Sequence, residues 1–153
     1  MSSRLQLSAH LTLDEVTRTG TGLDNQPDHD QLWALLNLAR FAFEPLRMAI
    51  GPMQVTSGLR TAAVNAAVGG ASKSQHLKGE ALDVRPLRMA SPAAFEVLAR
   101  EVAEGLAIDQ AILYHPSRGG HIHLSHTARR DPRGQLLYAP AGGGYVAWES
   151  NEH

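Results

Sequence analysis

Seven apolar residues, Leu32, Leu35, Leu36, Ala39, Phe43, Leu46 and Ile50, recur at helical spacing between Asp28 and Gly51. A stripe of that length must be buried, and a helix buries it only against another layer of structure. The rest of the chain offers short strand-like runs: "PMQVTS" ending at Ser57, "ALDVRPL" from Ala81, and "IDQAILYH" with "GHIHLSH", joined by the turn-rich "PSRGG". The expected fold is therefore α+β, with helices packed on a small antiparallel sheet. Pro45 falls inside the long stripe and predicts a kink or a split there.

Shorter signals fill in the order. Thr12 and Glu15 have capping-box spacing and predict a short helix. "RTGTGLDNQPDHD" reads as a loop, and "RTAAVNAAV" as a short helix closed by Gly69 and Gly70. Ser91 followed by Pro92 predicts an N-cap and first helical residue, opening a helix to about Gly105. Residues 127–153 read as a loop-rich tail with a late hairpin around Gly142 to Gly144. The whole chain, 1–153, is expected to be one domain, with its motifs between about 53 and 126.

At 153 residues, with 43% hydrophobic and 19% charged side chains, the chain can build a sizeable core. A formal charge of −1 lacks the basic footprint of a nucleic-acid binder. No apolar run approaches the ~20 residues that span a bilayer, so membrane insertion is not expected. "MSSRLQLSAHLTLDEV" lacks a continuous apolar stretch of the signal-peptide kind, which predicts synthesis in the cytoplasm. Cysteine is absent, which removes disulfides, thiolate zinc sites and cysteine nucleophiles together. Any metal must be held by His, Asp or Glu.

Eight histidines are available for that, three of them between His121 and His126. Strand alternation sends His121 and His123 to one face and Ile122 and Leu124 to the other. Gly79 allows the tight path needed to bring His76 to Asp83. His76, Asp83 and His123 would then offer two nitrogens and one oxygen to zinc, with a position open for water, as in hydrolytic zinc sites. Each residue also has a plainer reading: Asp83 as a strand-end residue, and His10, His29 and His153 as ordinary surface or core histidines.

The run "SGLRTAAVNAAVGGASKSQHLKGEALDV" resembles the zinc D-Ala-D-Ala carboxypeptidases and endopeptidases of the M15 peptidase family, in particular the small phage and bacterial forms. The family's Ser-x-His-x-x-Gly-x-Ala-x-Asp signature is matched by Ser74, His76, Gly79, Ala81 and Asp83. Its upstream Ser-Gly-x-Arg element is matched by Ser57, Gly58, Leu59 and Arg60, and its Trp-x-His-Val-Ser strand by "HIHLS" with His123. "LTLDEVTRTGTGLDNQP" and "EPLR" also resemble this group, so the likeness extends to about Ser125. It implies a fold of the DD-peptidase and Hedgehog type and a zinc ion (Zn2+) on His76, Asp83 and His123. It also implies a substrate among peptidoglycan stem peptides or cross-links, cut at a bond involving D-Ala. Arg60 would bind substrate or stabilise an oxyanion, and Ser74 would contact substrate or support its loop.

The sequence departs from the family at the general base. Many relatives carry a glutamate several residues before the last zinc histidine, whereas no acid lies between Asp109 and His123. His115 stands nearest in context to that glutamate and is the first choice on strand position; His121, which replaces the usual tryptophan on the ligand's face, is its rival and a further candidate to bind metal. Either histidine can move a proton near neutral pH. Alternation places Glu80 on the opposite face from Asp83, as a solvated charge. An alternative to the enzyme is a cell-wall-binding or phage-tail structural module on the same fold. A more distant one is an Fe(II) oxygenase, which shares the two-His, one-carboxylate set but needs more strands. Acting on the wall would require a holin, delivery in a virion, or lysis.

Overall fold

The structure is a computed structural model and describes residues 5–151; His153 lies outside them. A small hairpin, β1 (Gln6–Ser8) with β2 (Leu11–Thr12), leads into α1 (Leu13–Thr17). The capping box forms: Thr12 Oγ1 accepts from the Glu15 backbone N–H, and Glu15 accepts from the Thr12 N–H. The long apolar stripe becomes α2 (His29–Leu38), a wide π-type turn over Ala39–Phe43, and α3 (Glu44–Ile50). Pro45 is the cause: it has no N–H to donate, and as an early residue of α3 it is tolerated because the wider turn before it absorbs the missing bond.

Six strands follow in the spatial order β3–β4–β6–β5–β7–β8. They are β3 (Met53–Ser57), β4 (Ala81–Pro86), β5 (Gln110–Tyr114), β6 (Ile122–Ser125), β7 (Gln135–Ala139) and β8 (Val146–Ala147). All neighbours are antiparallel except β5 and β7. The sheet is thus mixed, where the short strand runs predicted a purely antiparallel one. The difference arises in the tail, which is less loop-like than its composition implies. β7 returns alongside β5 in parallel register, and the turn through Gly143 then folds β8 back on it. Trp148, just beyond β8, packs on Phe95 with ring centroids 5.2 Å apart, fastening the tail to the core.

One face of the sheet is the floor of the core. Leu82, Val84, Ala111, Leu113, Ile122 and Leu124 point into it and meet Leu35, Leu38, Phe43, Leu46 and Ile50 from the split helix. Ala94, Phe95 and Leu98 add the third contribution from α5 (Ser91–Ala103). The N-cap of α5 is Ala90, without a side-chain cap, and Ser91 lies inside the first turn. The expected serine cap is therefore displaced by one residue, and Pro92 still occupies the first turn, where its missing N–H costs nothing. Two shorter elements, α4 (Ala62–Ala67) and a 3-10 turn over Gln75–Lys78, lie on the connection from β3 to β4. The opposite face of the sheet carries Asp83, Ile112, Tyr114 and His123 and is left for chemistry.

Candidate metal centre

Strand register brings the first two candidates together. Asp83 on β4 is the direct cross-strand partner of His123 on β6, so both side chains project from the same face. His123 Nδ1 lies 3.2 Å from Asp83 Oδ1. The third candidate comes from the 3-10 turn, where His76 Nε2 lies 3.3 Å from the same carboxylate oxygen. One ligand atom from each of the three residues lies within 4.8 Å of the other two, and all three residues are buried.

The 3-10 turn is built for this placement. Ser74 Oγ accepts from the His76 backbone N–H and caps it. Gly79 closes it at φ +70°, and a Cβ there would meet the Gln31 carbonyl oxygen of α2 at 2.6 Å. Only glycine satisfies both demands. Gly58 has a similar role without an unusual φ: a Cβ would meet the Val16 carbonyl oxygen at 2.4 Å. That close pass lets the Gly58 carbonyl accept a hydrogen bond from His76 Nδ1 at 2.7 Å. With Nδ1 donating, Nε2 keeps the lone pair that a metal needs and aims it toward Asp83. The two imidazoles and the carboxylate match the donor chemistry of zinc, and the carbonyl behind His76 supplies the supporting bond such sites use.

Electrostatics favour an ionised Asp83. Burial alone would raise its pKa, but with the facing His123 and His76 rings protonated their hydrogen bonds and charge hold it well below the usual carboxylate range; a metal held by the neutral rings would supply that positive charge instead. Arg60 adds a guanidinium 3.8 Å from Asp83 Oδ2, steadied by a hydrogen bond from Nε to Ser57 Oγ at 3.4 Å. A register shift between Val55 and Ser57 sets Ser57 opposite Asp83, so a bulge-like irregularity aims this segment at the site.

The two proton-transfer candidates are placed differently. His121 Nε2 lies 3.9 Å from Asp83 Oδ2, and its ring stacks on Tyr114 with centroids 4.3 Å apart. Burial pulls its pKa below the ordinary histidine value, against Asp83, which raises it; Arg85 adds to the lowering. His115 stands at the end of β5, where Nδ1 accepts from the Ser117 N–H and pairs with Ser117 Oγ at 2.8 Å. Its ring caps the turn at Pro116–Arg118; neither His115 nor His121 is among the residues that line the cavity, so what separates them is the nearness of His121 to Asp83.

That cavity, about 690 Å³, opens over the cluster and is lined by Arg60, Ser74, His76 and His123 together with residues that sequence reasoning missed. Tyr114 and Tyr145 line it, their hydroxyls 3.2 Å apart. Burial and Tyr145 push the Tyr114 pKa up, which keeps its hydroxyl protonated. Alternation along β5 from Ile112, the partner of His123, could have flagged Tyr114; nothing local flags Tyr145. Glu80 is a correction. It is buried and lines the cavity, because Gly79 turns the chain just before β4 begins and strand alternation does not reach back to it. Asp109 was also missed. It is fully buried and accepts hydrogen bonds from Gln75, Arg130 and Arg133, tying the 3-10 turn to β5 and to the loop after β6. Burial would raise its pKa, but Arg130, Arg133 and Gln75 hold it well below the usual range.

The family model for Peptidase M15 matches residues 8–125, which includes all three candidate ligands, Arg60, His115 and His121. The chain belongs to the M15 peptidase family. M15 peptidases are zinc-dependent metallopeptidases, and this member retains a His-Asp-His group able to hold the metal. A search of curated proteins found no match. The six-stranded open sheet under a helical layer agrees with the M15 fold and leaves no place for an oxygenase barrel. Among the described residues no helix is long and apolar enough to cross a membrane. His10 is bonded to Glu44, His29 is exposed, and His126 packs against Phe41, so none of these three belongs to the cluster.

Proposed function

We propose that this M15 peptidase cuts an amide bond in the stem peptide or cross-link of peptidoglycan, at a bond involving D-Ala. The observation that carries this reading is the cluster of His76, Asp83 and His123, two of whose members, His76 and His123, line a cavity that Arg60 also lines. His76, Asp83 and His123 would hold a zinc ion, whose Lewis acidity would serve to polarise a scissile carbonyl and to activate water. His76 and His123 present nitrogen lone pairs, and Asp83 neutralises charge between them. Arg60 binds an anionic oxygen of the substrate or of the transition state, as a fixed guanidinium can. Ser74 holds the 3-10 turn in shape at the edge of the cavity.

We assign the proton to His121 ahead of His115. His121 lies beside Asp83 on the ligand face, whereas the ring of His115 is engaged with Ser117. The site of action is the cell wall, reached through phage lysis or as part of a virion. The test is digestion of purified peptidoglycan by wild type and His123→Ala, with products read by mass. Release of stem-peptide fragments by wild type alone supports the reading, and their masses name the bond and distinguish carboxypeptidase from endopeptidase. A second reading, a wall-binding or phage-tail module without turnover, draws on the histidine standing where relatives carry glutamate. Metal binding and wall binding without any fragment release would favour it.

A further inference from the structure

Six cationic side chains line the cavity, Arg60, Lys73, Lys78, Arg129, Arg130 and Arg133, with Glu80 as the one acid among the lining residues. They fall into two groups. Arg60 lies 3.8 Å from Asp83, and Arg130 and Arg133 share the buried carboxylate of Asp109 at 2.6 and 3.0 Å. The side chains of Lys73, Lys78 and Arg129 make no ion pair or hydrogen bond among the described residues. All three residues are exposed. The Arg129 guanidinium lies 5.5 Å over the Trp33 ring, which restrains it and leaves its N–H donors free. Unpaired cations on a concave wall concentrate anions there. A guanidinium fork is matched in shape to a carboxylate.

We infer that Lys73, Lys78 and Arg129 form a carboxylate-reading arm of the cavity, which favours peptides bearing a free carboxylate away from the scissile bond over their amidated forms. The inference rests on the peptidase reading for the choice of a peptide ligand. Arg129 lies beyond residues 8–125, so this arm is partly built by the tail and is not given by the family match.

The test compares two labelled pentapeptides, L-Ala-γ-D-Glu-L-Lys-D-Ala-D-Ala and its twin with the D-Glu α-carboxylate as carboxamide. Binding to zinc-loaded wild type is read by fluorescence anisotropy in the first seconds after mixing, before products accumulate. The acid should bind roughly threefold to tenfold more tightly than the amide. The preference should shrink as salt rises, and vanish in the triple variant K73Q/K78Q/R129Q. Equal or undetectable binding of the twins by wild type overturns the inference, and needs no variant to fold. A preference that survives in the triple variant overturns the assignment to these residues. Equal binding with cleavage of both twins would leave the peptidase reading standing while removing this one. Acid-selective binding without cleavage would do the reverse.

Discussion

Asp83 and His123 face one another across the β4–β6 pair, with His123 Nδ1 3.2 Å from Asp83 Oδ1. The ladder that joins their backbones therefore also fixes two of the three candidate ligands, and only His76 must be delivered by a loop. The site is as rigid as the sheet on its β side and as rigid as two glycines on the other.

Those glycines give the first prediction. Gly58→Ala places a methyl group 2.4 Å from the Val16 carbonyl oxygen and displaces the carbonyl that accepts from His76 Nδ1. Stability should fall by about 1–3 kcal/mol, and zinc affinity by roughly tenfold to a hundredfold. Thermal melts and competition with a zinc indicator measure the two effects separately. An unchanged affinity would mean that the carbonyl does not orient His76.

Gly79→Ala should be at least as damaging to the fold. It combines a φ of +70° with a contact of 2.6 Å to the Gln31 carbonyl oxygen. A loss of about 1–3 kcal/mol is expected for the strained backbone alone, measured by urea unfolding.

Asp109 predicts an acid sensitivity. Its folded pKa is depressed, so its contribution to stability is fully present above the unfolded carboxylate value of about 3.9 and is lost as pH falls toward the folded one. Wild type should hold its stability from neutral pH down to about pH 5 and then lose it progressively. Asp109→Asn should be less stable at pH 7, by about 1–2 kcal/mol, because the buried side chain loses its charge-assisted hydrogen bonds while the half-exposed Arg130 and Arg133 remain solvated. Its stability should change less between neutral and acid pH. Denaturant midpoints across that range check both, and parallel curves for the two proteins would contradict the assignment.

The proton assignment is tested by His121→Asn. Peptidase turnover should fall by roughly 10²–10⁴-fold with the zinc content retained, since His121 is not among the three clustered ligands. His115→Ala should cost far less turnover, because its ring serves the Pro116–Arg118 turn. The reverse ranking would transfer the proton to His115.

What the sequence made legible was local. The apolar stripe from Leu32 to Ile50 and the break at Pro45 follow from periodicity and from a missing N–H. Alternation in "HIHLS" placed His123 on the face away from Ile122 and Leu124, as found. What stayed hidden was nonlocal. The parallel pairing of β7 with β5 has no signature in either strand alone, and with it went Tyr145 and the tail side of the cavity. Asp109 drew no reading from the sequence because its partners lie 21 to 34 residues away along the chain. Glu80 was misplaced because the period of two was extended back beyond the start of β4 at Ala81, to a residue next to the left-handed Gly79, where no strand period holds.

The central claim is that His76, Asp83 and His123 hold one catalytic zinc. The most direct measurement is the metal content of the purified chain by mass spectrometry, for wild type and His123→Ala, with the thermal midpoint recorded with and without added zinc. The account predicts one zinc per chain in wild type, a zinc-dependent rise in the midpoint, and loss of both in a variant that remains folded. A wild type that takes up no zinc, or a His123→Ala variant that binds it as tightly, would contradict it.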